Sequence, residues 1–419
     1  MFGNFIFNVI FATSNINLFI ISLNKNSYLI NHMRKLILSI SIIISGALSA
    51  QTISQDTTAT KNKQRNAAQN ILNGTSSKGI TVGGYAEVDY NQPEGANGKL
   101  DVHRLVMLLG YKFSDKVQFV TEIEYEHVKE VYIEQAFLNY SLNDNVNIRG
   151  GLMLVPMGIV NEYHEPTTFN GVERPNVDKS IVPTTWREIG VGVTGRFNEV
   201  NLGYQAYMFN GFASVNGEKV LGGSNGLRNG RQKGAESTIN TPNLSAKIDY
   251  YGISGLRLGL SGYFGRTQAA DDIQDVDGAD VGVSMFGFDA RYIDKRFSAR
   301  GQYIHTLITD ADDYNTLYNT NLGSELKGWY AEVAYNLLPL RKEQKIDAFV
   351  RYEMYDTHAA TSDASIDRNL SYNRNEWTAG LSYHVAPGAV VKADYQLFDN
   401  AIEGNKTKGQ LNIGFGVWF

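Results

Sequence analysis

The sequence predicts an all-β protein: a transmembrane antiparallel up-and-down β-barrel of about 16 strands, with short periplasmic turns and long extracellular loops. Three observations predict it. From Gly79 to Phe419, apolar residues alternate with small or polar ones at period two, the mark of strands with two unlike faces. The connections between these segments alternate between tight turns and long loops. Upstream, a short apolar run with a basic flank marks the chain for export.

Composition narrows the class. The 419 residues carry 38 Lys plus Arg against 43 Asp plus Glu, a net charge of −5, with 41 Gly, 24 Tyr, 20 Phe and no Cys. Without cysteine there is no thiol nucleophile, thiolate metal site, disulfide or lipid-anchored amino terminus. The mild acidity argues against nucleic acid as a partner. Abundant Gly and Tyr suit a curved, closed sheet with aromatic girdles at the two lipid interfaces.

At the amino end, Met33-Arg34-Lys35 precede an apolar run from Leu36 to Leu48, then Ser49-Ala50-Gln51. This reads as a signal peptide over 33–50, cut after Ala50 or, with Ala47 in the third upstream position, after Ser49. The run is short of the ~20 residues a spanning helix needs. Residues 1–32, apolar and Asn-rich with no basic start, read as translated upstream sequence, with Met33 the true start. Residues 51–78 read as a flexible periplasmic lead-in with a short helix around Ala67–Leu72. The barrel then occupies 79–419 as one domain.

Strands are placed at 79–90, 101–113, 117–126, 130–142, 146–156, 187–198, 201–210 and 242–250. The others are 256–266, 282–293, 297–308, 328–337, 346–356, 375–385, 389–399 and 409–419. Each is near the ~10 residues a tilted membrane strand needs. Short turns include Ser114-Asp115-Lys116, Asn143-Asp144-Asn145 and Ala386-Pro387-Gly388; long loops are 157–186, 211–241, 267–281, 309–327 and 357–374. An even strand count puts both ends in the periplasm, as export requires. A soluble sandwich would not set Trp, Phe and Leu on one strand face and Lys, Asp, Arg and Glu on the other.

Parity assigns a lumen face. Its acidic members include Glu122, Glu124, Glu126, Asp249, Asp289, Glu353 and Asp394; its basic members include Arg149, Arg196, Lys247, Arg291, Arg300, Arg351 and Lys392. Opposite signs recur on one face, as at Lys247 and Asp249 or Arg351 and Glu353, so wall pairing competes with ion selection as their role. Glu122, Glu124 and Glu126 form the exception, three carboxylates with no basic residue between them. They predict a weak cation preference or little selectivity. In the third loop, roughly 157–186, Glu162, His164, Glu165, Glu173 and Arg174, set among prolines, are the candidates for narrowing the lumen; an external loop covering the mouth is the competing reading.

Some motifs carry no chemistry. Gly190, Gly192 and Gly195 match a dinucleotide fingerprint but lie within an alternating strand with no helix after it, where glycines relieve crowding. His127 near Glu124 and Glu126, and His164 near Glu162 and Glu165, are incomplete ligand sets, so no metal and no cofactor is expected. No nucleophile pairs with any of the seven histidines in a catalytic arrangement.

The last strand, Gln410 to Phe419, alternates apolar residues and ends in Phe, and so resembles the carboxy-terminal signature of outer-membrane barrels. The resemblance implies that Phe415 and Phe419 belong to the signal read by the barrel-assembly machinery. The stretch Ile148-Arg149-Gly150-Gly151-Leu152-Met153-Leu154-Val155-Pro156-Met157-Gly158, followed by a long Glu- and Pro-containing loop, resembles the phosphate-selective porin O/P superfamily and its Bacteroidetes relatives. That resemblance implies a strand leading through a Pro-Gly break into a loop folded into the barrel, and a homotrimer in outer-membrane lipid. It would also imply a run of lumen arginines and a lysine cluster, which the sequence does not display. The expected function is passive diffusion of small hydrophilic solutes or ions, with no enzymatic step. An adhesin or scaffold acting through loops 211–241 and 309–327, or an outer-membrane hydrolase, are the alternatives.

Overall fold

Lipid offers no hydrogen-bond partner for a strand edge, so a sheet of two-faced strands in a membrane has to close on itself. The computed structural model describes residues 66–74, 78–362 and 366–419. The upstream extension expected at 1–32 and the signal peptide expected at 33–50 lie outside these residues.

The first strands are β1 (Gly79–Pro93), β2 (Lys99–Lys112), β3 (Val117–Glu126), β4 (Glu130–Asn143), β5 (Val146–Leu154), β6 (Arg187–Phe197) and β7 (Leu202–Phe209). A two-stranded hairpin, β8 (Val215–Asn216) and β9 (Lys219–Val220), sits in the next loop. Then come β10 (Asn243–Tyr250), β11 (Leu256–Arg266), β12 (Gly282–Asp294), β13 (Phe297–Thr309) and β14 (Glu325–Asn336). The last are β15 (Lys345–Ala360), β16 (Asn373–Ala386), β17 (Ala389–Asn400) and β18 (Lys408–Trp418). Apart from the hairpin, each strand pairs antiparallel with its sequence neighbours, and β1 with β18, giving a closed barrel of 16 strands.

All sixteen expected strands are present, with ends displaced by a few residues. The largest extension is β15, whose outer end runs to Ala360 because the Ala360 carbonyl accepts from the Ser324 amide (2.9 Å). At the seam, Phe419 and Gly84 exchange amide–carbonyl bonds of 2.9 Å in both directions, so the terminal residue completes the ladder. Outward residues are apolar: Leu411, Ile413 and Phe415 on β18 are exposed, while Asn412, Gly414 and Gly416, which alternate with them, are buried. This alternation matches a lipid exterior, as the period-two pattern required.

One strand breaks phase. On β4, Val131 and Ile133 point outward, but beyond them Leu138, Tyr140 and Leu142 do. A bulge at Ile133–Gln135 opposite Glu122–Ile123 absorbs the extra residue and turns both Glu134 and Gln135 inward.

Within the stretch expected to be a mobile lead-in, residues 66–74 are ordered. Helix α1 (Ala67–Gly74) lies against β1, β2 and β3, with the Asn66 side chain accepting from the Gln69 amide (2.9 Å) as its cap. Its buried Ile71 packs where Gly110 leaves room; a Cβ at Gly110 would come 2.2 Å from Ile71 Cγ2.

On β6, the rejected fingerprint glycines serve packing. A Cβ on Gly192 would lie 2.1 Å from the Ala206 carbonyl and 2.6 Å from the Tyr207 ring, and one on Gly190 would lie 2.5 Å from the Phe209 ring. The cross-strand aromatics therefore lie flat over the glycines. Gly192→Val is expected to abolish the folded, heat-modifiable barrel in refolding assays, since the nearest obstruction is backbone; wild-type folding yield would refute this account.

Candidate pore constriction

β5 ends at Leu154 because Pro156 has no amide with which to continue the ladder. The chain then turns inward. The third loop, 155–186, runs through the lumen to the start of β6 and includes a single helical turn, α2 (Val177–Ser180). Asn161 ties its two ends together: its Nδ2 donates to the Val155 (2.7 Å) and Trp186 (2.9 Å) carbonyls, and its Oδ1 accepts from the Trp186 amide (2.7 Å).

From that stem the loop touches the wall nearly all the way round. Lys247 on β10 donates to the Gly158 carbonyl (2.5 Å) and lies 3.4 Å from Glu162 and 3.1 Å from Asp289. Arg257 donates to the Tyr163 hydroxyl (2.6 Å), and Arg291 stacks on the Tyr163 ring at 4.6 Å. On the opposite wall, the Asp394 carboxylate accepts from the Val172 amide (2.6 Å) and Glu353 from the Val177 amide (3.0 Å). Arg351 donates to the Glu173 carbonyl (3.3 Å), and Gln302 donates to Asp178 (2.9 Å).

The five loop candidates divide. Glu162 is held by Gln205 (2.6 Å) and Lys247, and Glu173 accepts from Asn91 (2.9 Å). Glu165 takes the Ala67 amide at the amino end of α1; burial pushes its carboxyl up to about 7 against the opposing pull of His164. His164 is buried between Tyr85, Glu122 and Glu134. Only Arg174 makes no hydrogen bond or ion pair to a described residue, and it is partly buried. The sequence pairing of His164 with Glu162 and Glu165 is not what the fold assembles.

The lumen set from parity faces inward. Asp249 binds Arg257 (2.7 Å), Arg300 binds Glu332 (2.8 Å), and Arg351 lies 3.3 Å from Glu353. Lys392 sits over the Phe169 ring at 3.9 Å. Arg149 donates to Asn139 (2.9 Å), and Arg196 stacks on Tyr251 (5.4 Å). Of the acidic triplet, Glu122 accepts from Tyr85 (2.7 Å) and Gln135 (2.6 Å), and Glu124 lies 3.9 Å from Arg104. Glu126 is nearer the rim, 3.9 Å from His127.

Sequence reasoning missed three features. Arg104, wholly buried, binds Glu87 (3.0 Å) and the His164 carbonyl (2.6 Å) and is the basic partner the triplet lacked; inward parity with Val106 and Leu108 could have found it. Next, the lumen is not polar throughout. Trp186, Val177 and Ile181 of the third loop pack with Phe212 and Leu221 of the fourth, and with the inward Tyr263, Met285, Ile304 and Tyr330. Trp186 stacks on Phe212 at 4.4 Å. These inward strand positions meet loop rather than water, which parity cannot distinguish. A basic cluster is also assembled across distant segments: Arg187 and Lys233 flank the Tyr132 ring at 5.6 and 4.7 Å, and Arg231 donates to the Pro183 and Thr184 carbonyls beside them.

A closed 16-stranded barrel with an apolar exterior, a charged inner wall and its third loop inside the lumen is an outer-membrane porin in architecture. The chain belongs to the family of phosphate-selective porins O and P, which it matches over residues 79–411. A protein of Aquifex aeolicus (strain VF5) with no described activity is 31% identical over 339 residues, covering 76% of this chain and 75% of the relative. Among solved structures, the outer-membrane channel DcaP of Acinetobacter baumannii superposes with a TM-score of 0.55 at 13% identity, covering 82% of this chain and 98% of that one. The anion-selective porin of Comamonas acidovorans gives 0.53 at 12% identity, covering 82% and 100%. The trimer form of OmpT from Vibrio cholerae gives 0.51 at 12% identity, with the same coverage. Likeness at these identities shows the fold alone.

Proposed function

We propose that this porin is a passive, weakly selective channel for small hydrophilic solutes, with the third loop as its constriction. The observation that carries the reading is the path of that loop, bonded to β10, β11, β15 and β17 across the lumen, so that solutes crossing the barrel pass beside it. Such flux needs no cofactor and no chemical step. Weak selectivity follows from pairing. The phosphate preference in the family's name would need a run of unpaired lumen arginines, yet Arg104, Arg257, Arg300 and Arg351 each lie within 3.3 Å of a carboxylate, which leaves Arg149 on Asn139 and Arg196 on Tyr251 as isolated exceptions. The carboxylates that motivated a cation preference are matched in turn, Glu124 by Arg104 and Glu122 by hydrogen bonds.

Planar-bilayer recording tests both parts. The purified protein is expected to give steady ohmic steps, which a scaffold, adhesin or hydrolase with a closed barrel would not. Reversal potentials in asymmetric KCl should give a cation-to-anion permeability ratio within roughly threefold of unity. A strong chloride preference would instead favour Arg174 and the Arg187–Lys233 cluster as an anion path. A homotrimer, inserted by the barrel-assembly machinery through Phe415 and Phe419 and exported by residues 33–50, completes the proposal; cross-linking in detergent and the mature amino-terminal sequence check its parts.

A further inference from the structure

Two carboxylates, an imidazole and a phenol converge where the third loop meets β1, β3 and β4. His164 Nε2 lies 3.3 Å from Glu134 Oε2, 3.8 Å from Glu122 Oε1 and 3.0 Å from the Tyr85 hydroxyl. That hydroxyl lies 2.7 Å from Glu122 and 3.3 Å from Glu134. Glu122 and Glu134 are 0% exposed and His164 1%. We propose that Glu122, Glu134 and His164, with Tyr85 as the fourth donor, bind a divalent transition-metal cation of the zinc type that clamps the third loop to the barrel wall.

Geometry is the first argument. Four ligands at 2.0–2.2 Å from a tetrahedral ion stand about 3.3–3.6 Å from one another, and the five separations above bracket that value. The second argument is donor counting. His164 Nδ1 is 3.1 Å from the Asn161 carbonyl, a contact that needs a proton on Nδ1 and turns Nε2 toward the carboxylates, where that nitrogen takes either a second proton or a metal ion. With no second proton on the imidazole, the Tyr85 hydroxyl has one proton for three neighbours, and the remaining acceptors face each other. A cation satisfies them all. Third, the carboxylates are held from behind: Gln135 donates to the other oxygen of Glu122 (2.6 Å), while Glu134 Oε1, buried and without a hydrogen-bond partner, has only Arg187 at 3.9 Å. Two carboxylates balance a divalent charge, and Arg104 is occupied by Glu87 and the His164 carbonyl.

The test is metal content, independent of conduction. The full chain, folded in detergent and stripped with chelator, is dialysed against zinc chloride and then against metal-free buffer. One retained equivalent per chain is expected, along with a higher unfolding midpoint. His164→Asn, a loop change that leaves the strands intact, and Glu134→Gln should each lose the equivalent while remaining heat-modifiable. His127→Asn, which removes a rim histidine paired with Asp101 at 2.5 Å, should keep it. Cobalt in place of zinc should give the intense visible absorption of a tetrahedral site in wild type and not in His164→Asn. No retained zinc in wild type, full retention in both cluster variants, or loss in His127→Asn alone would overturn the proposal.

Discussion

Excising residues 161–175 is expected to raise single-channel conductance roughly two- to five-fold, because it removes the part of the third loop that crosses the lumen. The geometry favours a clean excision. The loop leaves and returns beside one side chain: Gln302 Oε1 accepts from the Ile159 amide (2.8 Å), and its Nε2 donates to Asp178 (2.9 Å). The segment between is a closed excursion whose ends already meet, so joining Val160 to Asn176 through a short Gly-Ser linker strains no strand. What is lost includes the Asn161 bonds to Val155 and Trp186, leaving Gln302 to hold the stem, and the Arg257–Tyr163, Asp394–Val172 and Arg351–Glu173 contacts, freeing wall charges that widen the aqueous path. Bilayer recordings of the variant, with heat-modifiability as the folding control, make the comparison. Unchanged conductance in a folded variant would mean that the current takes another route and that the constriction lies elsewhere.

The second large effect is at Lys247. Its ammonium group is wholly buried and serves the Gly158 carbonyl, Glu162 and Asp289 together. Lys247→Met keeps the side-chain volume but leaves buried Glu162 without its cation and Asp289 with only Arg291 at 3.7 Å, a loss of about 3–5 kcal/mol for this kind of truncation. Because two of the three partners belong to the loop stem, the loop should also loosen, seen as added open-channel noise. Lys345, paired with Asp347 at 2.6 Å but 46% exposed, is the contrast; Lys345→Met should cost about 0–1 kcal/mol. Equal thermal midpoints for the two variants in detergent would refute the anchoring role.

The architecture was legible because it rests on local repeats. Lipid imposes period two on every strand, so Leu411, Ile413 and Phe415 declare their face without reference to any other strand. Loop lengths follow from which side of the membrane each turn occupies. The site was legible only by halves. Parity finds an inward carboxylate such as Glu122 or Asp394, because inwardness is a property of one strand, but its partner is a property of the register and of the third loop's path. Glu134 shows the limit most clearly. A bulge shifts the phase of β4 by one residue, and alternation counted back from Leu138, Tyr140 and Leu142 would leave it pointing away from the lumen. Helix α1 against the inner wall, and the apolar packing of Trp186 with Phe212, likewise depend on chain segments far apart in sequence.

The sequence by itself determined an outer-membrane barrel of 16 strands with a charged inner face, since a backbone in lipid must close and its side chains must sort by face. Tertiary structure alone decided what that face does. It laid the third loop through the lumen, paired most wall charges and joined His164 to Glu122 and Glu134. Coulomb attraction and hydrogen bonding act over a few ångströms of space, and residues 30 and 42 positions apart become neighbours only once the loop has folded inward.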